Sequence, residues 1–254
     1  MATKNFKRLM LSLGLNVIMI GFCVYTSMKA LEYRAHINEF LYKYEHVVQE
    51  FSARNKFLDA DRTLASDTIV PGRIVFFGMT MTDVWPVTKF FPDNEAIERG
   101  VSMQRLAGMP LRFRSDVVRL MPEWVVIETS SYNLREPNTL EELEEYTADM
   151  AELADYHGIK PILTTLIPPT SGYEPFESNY NVFDSLTLFN NWVKDYAGRK
   201  GFAVVDVHDI MAGDNGAVRV DLTEGGIIPN EEGFRLISEA VLNEMAAYKP
   251  QAKK

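Results

Sequence analysis

The chain has 254 residues, 46% of them hydrophobic and 24% charged, with a formal net charge of −9. That is the composition of a globular protein with enough chain to bury a sizeable core. The acidic balance, with no basic stripe, excludes a nucleic-acid-binding surface. A lone Cys23 excludes an intrachain disulfide, and the scattered His36, His46, His157 and His208 have no metal-ligand spacing, so neither a metal nor another cofactor is expected.

In chain order, residues 1–8 form a short tail containing Lys4, Lys7 and Arg8. Leu9 to Met28 is an uncharged run about as long as a helix needs to cross a bilayer. A cleaved signal peptide is the rival reading, but Val24–Met28 makes a poor cleavage site, and bulky Phe22 before Cys23 does not suit a lipoprotein. The basic tail, set against the mixed charges that follow the span, predicts a cytoplasmic amino terminus and a main domain on the far side. In a bacterium this means a single-pass inner-membrane protein with a periplasmic domain. No Asn-x-Ser/Thr sequon occurs, in keeping with a bacterial source.

Residues 29–67 read as a helical stalk, free of Pro and Gly from Lys29 to about Leu64. Ile37, Leu41, Tyr44, Val48 and Phe51 recur in steps of four and three, a stripe on one helix face. Either a partner helix or the chain's own domain could cover it. Asn16, an amide inside the apolar span, suits a bond to a neighbouring helix. These six residues are the expected contacts to a membrane-embedded protein partner, with the lipid bilayer around the span.

Residues 68–248 alternate strand and helix patterns. Short apolar runs at 73–77, 124–127, 161–167 and 202–206 predict buried strands, with a weaker one at 96–101. Helical patterns cover 139–156, behind a cap-like Asn138, then 182–199 and 231–248. This alternation predicts an α/β fold, a three-layer parallel sheet of flavodoxin type, with ligands bound at the carboxyl ends of the strands. Residues 249–254 are a polar tail.

The loops at those strand ends resemble, in order, the sequence blocks of the SGNH/GDSL hydrolase superfamily. A first strand runs into Gly78-Met79-Thr80-Met81-Thr82, with Trp85 after it. Glu98-Arg99-Gly100-Val101-Ser102-Met103 forms a second block, and Pro122 to Ile127 followed by Ser130-Ser131-Tyr132-Asn133 a third. Gly225-Gly226-Ile227-Ile228-Pro229-Asn230, with Gly233-Phe234, forms the last. The resemblance implies that the nucleophile position is Thr80 and that the base and its orienting aspartate fall at Ile228 and Gly225. It also implies that the oxyanion-binding glycine and asparagine fall at Met103 and Tyr132. Neither Ile228 nor Gly225 accepts a proton, which leads to the expectation of an inactive homologue, with no catalytic residues, serving as an accessory subunit of a membrane complex. Such a protein would have its old pocket plugged by Met79, Met103 and Tyr132. A binding module for glycans or acyl groups, or a weak esterase of envelope polysaccharide metabolism, is the alternative, and an open pocket would favour it. Among nearby acids, Asp83, Glu128, Asp221 and Glu224 lie in or beside the expected loops, and His208 reads as a helix-entry residue.

Overall fold

The computed structural model describes residues 2–134, 138–170, 182–226 and 228–249; for 2–4, 7, 8, 45–52, 54, 132, 182 and 183 it describes the backbone alone. The chain divides into two units, Met1–Gln49 and Glu50–Lys254. The first belongs to helix α1, Ala2–Ser52. Its stretch Leu9–Tyr44 is long and apolar enough to cross a membrane, with a mean hydropathy of 1.9 over its best window, as fits either an anchor or a signal sequence.

Residues 50–67, read from the sequence as stalk, belong to the second unit. The helix does not run on to Leu64. It gives way to a 3₁₀ turn at Ala53–Asn55 and resumes as α2, Leu58–Leu64. Helix α2 carries Asp61, which is buried with Arg99 in an ion pair of 2.8 Å. Burial, reinforced by the nearby Asp116 charge and opposed by Arg99, pushes Asp61 up to about 6.

Five parallel strands build the sheet: β1 (Val70–Gly78), β2 (Glu95–Gly100), β3 (Pro122–Ile127), β4 (Lys160–Thr164) and β5 (Ala203–Val205). Their order is β2-β1-β3-β4-β5, the doubly wound arrangement predicted from the alternating pattern. The strands read as continuous apolar runs because both faces are covered. Val75, Phe77, Val125, Ile127 and Leu163 point into one core. Helices α5 (Gly108–Asp116), α6 (Leu140–Tyr156) and α7 (Val182–Lys200) cover it. Ile74, Phe76, Trp124, Val126 and Ile162 point into the other. Over that face lie the short helices α3 (Thr80–Asp83) and α4 (Val87–Phe90), with α8 (Val207–Met211) and α9 (Glu231–Ala247). A two-stranded hairpin, β6 (Thr223–Glu224) and β7 (Ile228–Pro229), precedes α9.

One helix cap differs from expectation by one residue. Thr139, not Asn138, caps α6: it accepts from the Glu142 N–H while Glu142 reaches back to its own, a reciprocal capping box. Asn138 donates instead to the Asn133 carbonyl. At α8 the cap is Asp206, which accepts from the Asp209 N–H, and the His208 N–H donates to the Thr165 hydroxyl.

Candidate functional site

The site lies where β1, β3 and β4 end. Strand β1 stops at Gly78, and a methyl group there would collide with the Thr82 hydroxyl and the Glu128 carboxyl, so only glycine lets the chain turn this tightly. The turn delivers Thr80 at the start of α3. Gly100 ends β2 under the same kind of limit, because a methyl there would meet the Asp83 backbone. Fully buried Arg112 fixes both strand ends: it donates to the Gly78 carbonyl at 2.7 Å and the Arg99 carbonyl at 2.9 Å. It also pairs with Asp116 at 2.8 Å and lies 4.1 Å from the Phe77 ring centroid.

An open cleft of about 420 Å³ sits above these ends. Thr80, Met103, Glu128, Thr165 and Ile228 are among the residues lining it. The Thr80 Oγ1 accepts the Met103 N–H at 3.0 Å. Met103 reaches that position at φ 58°, a left-handed backbone that the branched and bulky side chains avoid. Three of the five family positions implied by the sequence are therefore brought together: Thr80, Met103 and Ile228. Gly225 is not among the cleft-lining residues; it sits in the β6–β7 turn at φ 62°. The side chain of Tyr132 lies outside the described residues, as do those of Val48 and Phe51 in the helix stripe.

Of the three residues expected to plug the pocket, Met79 and Met103 have described side chains. Met79 is turned wholly into the core, where its sulfur accepts from the Asn133 amide at 2.9 Å. Met103 stands half exposed at the rim. Asn133 does not serve the cleft either: it is fully buried, and its Oδ1 accepts the Leu106 N–H. Of the other acids, Asp83 pairs with Lys56 and accepts from Ser102, and Asp221 pairs with Arg219. Glu128 is the one carboxylate among the described cleft-lining residues. Its Oε2 accepts the Met79 N–H at 2.6 Å and the Thr82 hydroxyl at 3.0 Å. Burial raises its pKa, against the pull of those hydrogen bonds and of Arg112.

A doubly wound sheet with a hydroxyl, an amide donor and a carboxyl gathered at its strand ends has the frame of an acyl-transfer hydrolase. The GDSL-like lipase/acylhydrolase family model matches residues 85–236, more than half of the chain, and this chain belongs to that family. The match begins beyond Thr80. Among solved structures, a GDSL-like lipase from Bacteroides thetaiotaomicron is 27% identical, with a TM-score of 0.69 over 77% of this chain and 98% of that one. A candidate acylhydrolase from Bacteroides fragilis is 26% identical, with a TM-score of 0.67 over 76% and 96%. An acetylxylan esterase from Geobacillus stearothermophilus is 16% identical, with a TM-score of 0.56 over 70% and 95%, a likeness of fold. No curated protein matches the chain in sequence.

These findings correct the expectation of an inactive homologue. The family is one of lipases and acylhydrolases, and the 27% identical solved structure is named as a GDSL-like lipase. The expectation rested on the apolar Ile228 and Gly225 at the base positions, together with Met103 and Tyr132 at the oxyanion positions. Acyl transfer needs a hydroxyl, a donor for the oxyanion and somewhere for a proton to go.

The Met103 backbone generates a prediction. A non-glycine residue in the left-handed region costs about 1 kcal/mol. Met103→Gly should raise the midpoint of thermal unfolding by about 2–4 °C, and Met103→Val should lower it, both read by calorimetry. Equal midpoints for the two variants would show that the residue is not held at positive φ.

Proposed function

We propose that this chain is a slow acyl-ester hydrolase of acylated glycans, held at a membrane by its amino-terminal helix. The observation that carries the reading is the Thr80 hydroxyl, bonded by the Met103 amide, in an open cleft. In the proposed step the Thr80 Oγ1 bonds to the ester carbonyl carbon and gives its proton to a water in the cleft. The Met103 N–H turns to the oxyanion that forms. Collapse breaks the bond to the leaving alcohol, which departs with a proton from solvent. A second water then hydrolyses the acyl-threonine, releasing the acid and restoring the hydroxyl. Water is a weak base, which makes turnover slow.

The cleft lining supports an acylated sugar. Ser131 offers a hydroxyl to a glycan, while Met81, Ile167 and Ile228 offer apolar surface to a small acyl group. The acetylxylan esterase sharing this fold acts on a substrate of that kind by its name. The Thr80 hydroxyl replaces a bimolecular attack by water with an attack from a fixed position beside the bound ester, and the expected rate comes from that replacement. Acetate release from acetylated xylooligosaccharides by the full chain should therefore be measurable, and Thr80→Ala should reduce it at least about tenfold. Release by Thr80→Ala at the unsubstituted rate would overturn the reading.

The helix carries the rest of the proposal. Its apolar stretch suits a single-pass anchor in a bacterial inner membrane, with the amino terminus cytoplasmic and the domain periplasmic. Ile37, Leu41 and Tyr44 are each more than half exposed in the helix unit, which supports contact with a helix of a membrane-embedded partner; Asn16, also exposed, would join it within the span. Protease added to intact spheroplasts should remove the domain; cleavage confined to lysed cells reverses the orientation. Replacing Ile37, Leu41 and Val48 together by Asp should release the protein from the partner that co-purifies with it in detergent, with the unfolding midpoint of the domain unchanged. A retained partner would mean that the stripe is not the contact.

A further inference from the structure

Glu128 sits just past the end of β3, between the core and the turn that carries Thr80. Its Oε2 takes the Met79 N–H from the residue before Thr80 and the Thr82 hydroxyl from two residues after it. Gly78, next to it, has no room for a side chain against this carboxyl, so the backbone of the turn is pressed directly onto it. The Thr80 hydroxyl is in turn engaged by the Met103 amide. One continuous set of contacts thus joins the buried carboxyl to both chemical groups of the cleft.

We propose that Glu128 is a positioning residue of the acyl site: its carboxyl clamps the Thr80 turn, and its ionisation sets how the Thr80 hydroxyl meets the Met103 amide. This rests on reading the cleft as an acyl site. An ionised carboxylate makes hydrogen bonds roughly twice as strong as a neutral acid does, so the turn is held loosely below the pKa of Glu128 and tightly above it. The charged groups on the elements packed around the turn are Arg112 and Asp116 of α5, Asp83 of α3, and Glu98 and Arg99 of β2. Asp83, Asp116 and Arg99 have partners of opposite charge, and the Glu98 carboxyl accepts the Gly100 N–H. Arg112, bonded to the Gly78 carbonyl beside the turn, is the charge that acts on Glu128.

The sign of the effect separates positioning from stability. Burial raises the Glu128 pKa above its ordinary value. Its contribution to fold stability is therefore fully present at low pH and is lost as pH rises through the folded-state pKa. The clamp moves the other way and tightens over the same range, so a better-ordered site at higher pH is not a by-product of a more stable fold.

The methionines supply the reporters. The full chain, labelled with ¹⁵N-methionine and held in detergent micelles, gives amide signals for Met79, which bonds Glu128, and for Met103, which bonds Thr80. Each is assigned by its loss in Met79→Leu or Met103→Leu. On titration from acid to mildly alkaline pH, both signals should move through one common midpoint, and in Glu128→Gln neither should. In the unsubstituted chain, kcat/KM for an acetyl ester should rise about tenfold through that midpoint, and in Glu128→Gln the profile should be flat there. A Met103 signal that stays still while Met79 titrates would reduce Glu128 to a structural role and overturn the proposal. So would a shared midpoint that persists in Glu128→Gln. If Glu128→Gln fails to fold, Glu128→Asp, its carboxyl withdrawn by one methylene, should shift the common midpoint of both signals; an unchanged midpoint overturns the proposal. Joint titration of the two amides without ester hydrolysis by any variant would leave the clamp standing and remove the acyl reading instead.

Discussion

Two buried charges hold the turn between β1 and α3, and the rest of the site depends on them. Arg112 grips the last carbonyl of β1 and a carbonyl of β2 from one side, and Glu128 grips the amide and hydroxyl that follow from the other. Neither charge faces solvent, so each has value only where its partners stand. The arginine has its ring contact with Phe77, its pairing with Asp116 and a bond to Gln104, which together replace the water it lost. The carboxyl has fewer partners and a raised pKa, and so remains able to respond to its surroundings.

The same arrangement explains why glycine occupies Gly78 and Gly100. Both stand where the backbone of one segment presses against another, and neither has a positive φ. The cause is space, not backbone freedom. At Met103 the reverse holds. The backbone is left-handed, yet the side chain points to the rim, where there is room for it.

Much of the sheet was legible in the sequence, because a strand covered on both faces must be apolar at every position, and Ile74 to Phe77 and Trp124 to Ile127 are such runs. Strand β2 was fainter, since Glu95, Glu98 and Arg99 interrupt it; Arg99 is tolerated inside only because Asp61 reaches it from α2. That long-range pair is also why residues 50–67 read as stalk: helical periodicity carries no mark of the element 38 positions away on which a buried aspartate will land. In the site, the resemblance to the family's sequence blocks located Thr80, Met103 and Ile228. Glu128 stood in view as an acid in a suitable loop, but its grip on Met79 crosses from one strand to its neighbour, and only the paired register of β1 and β3 reveals it.

Strand β1 has hydrogen-bonded neighbours on both sides, β2 and β3, and the turn bearing Thr80 grows directly out of it. The two halves of the cleft are therefore under unequal constraint. The inner half, where Gly78 has no room for a side chain and Glu128 and Arg112 bond the turn from behind, is tied to the sheet. The outer half, where Met103 stands half exposed and Ile228 rides on a hairpin of two-residue strands, can exchange side chains with little effect on the fold. Descendants of this sequence would thus diverge first in what they admit to the cleft and last in where they hold the hydroxyl.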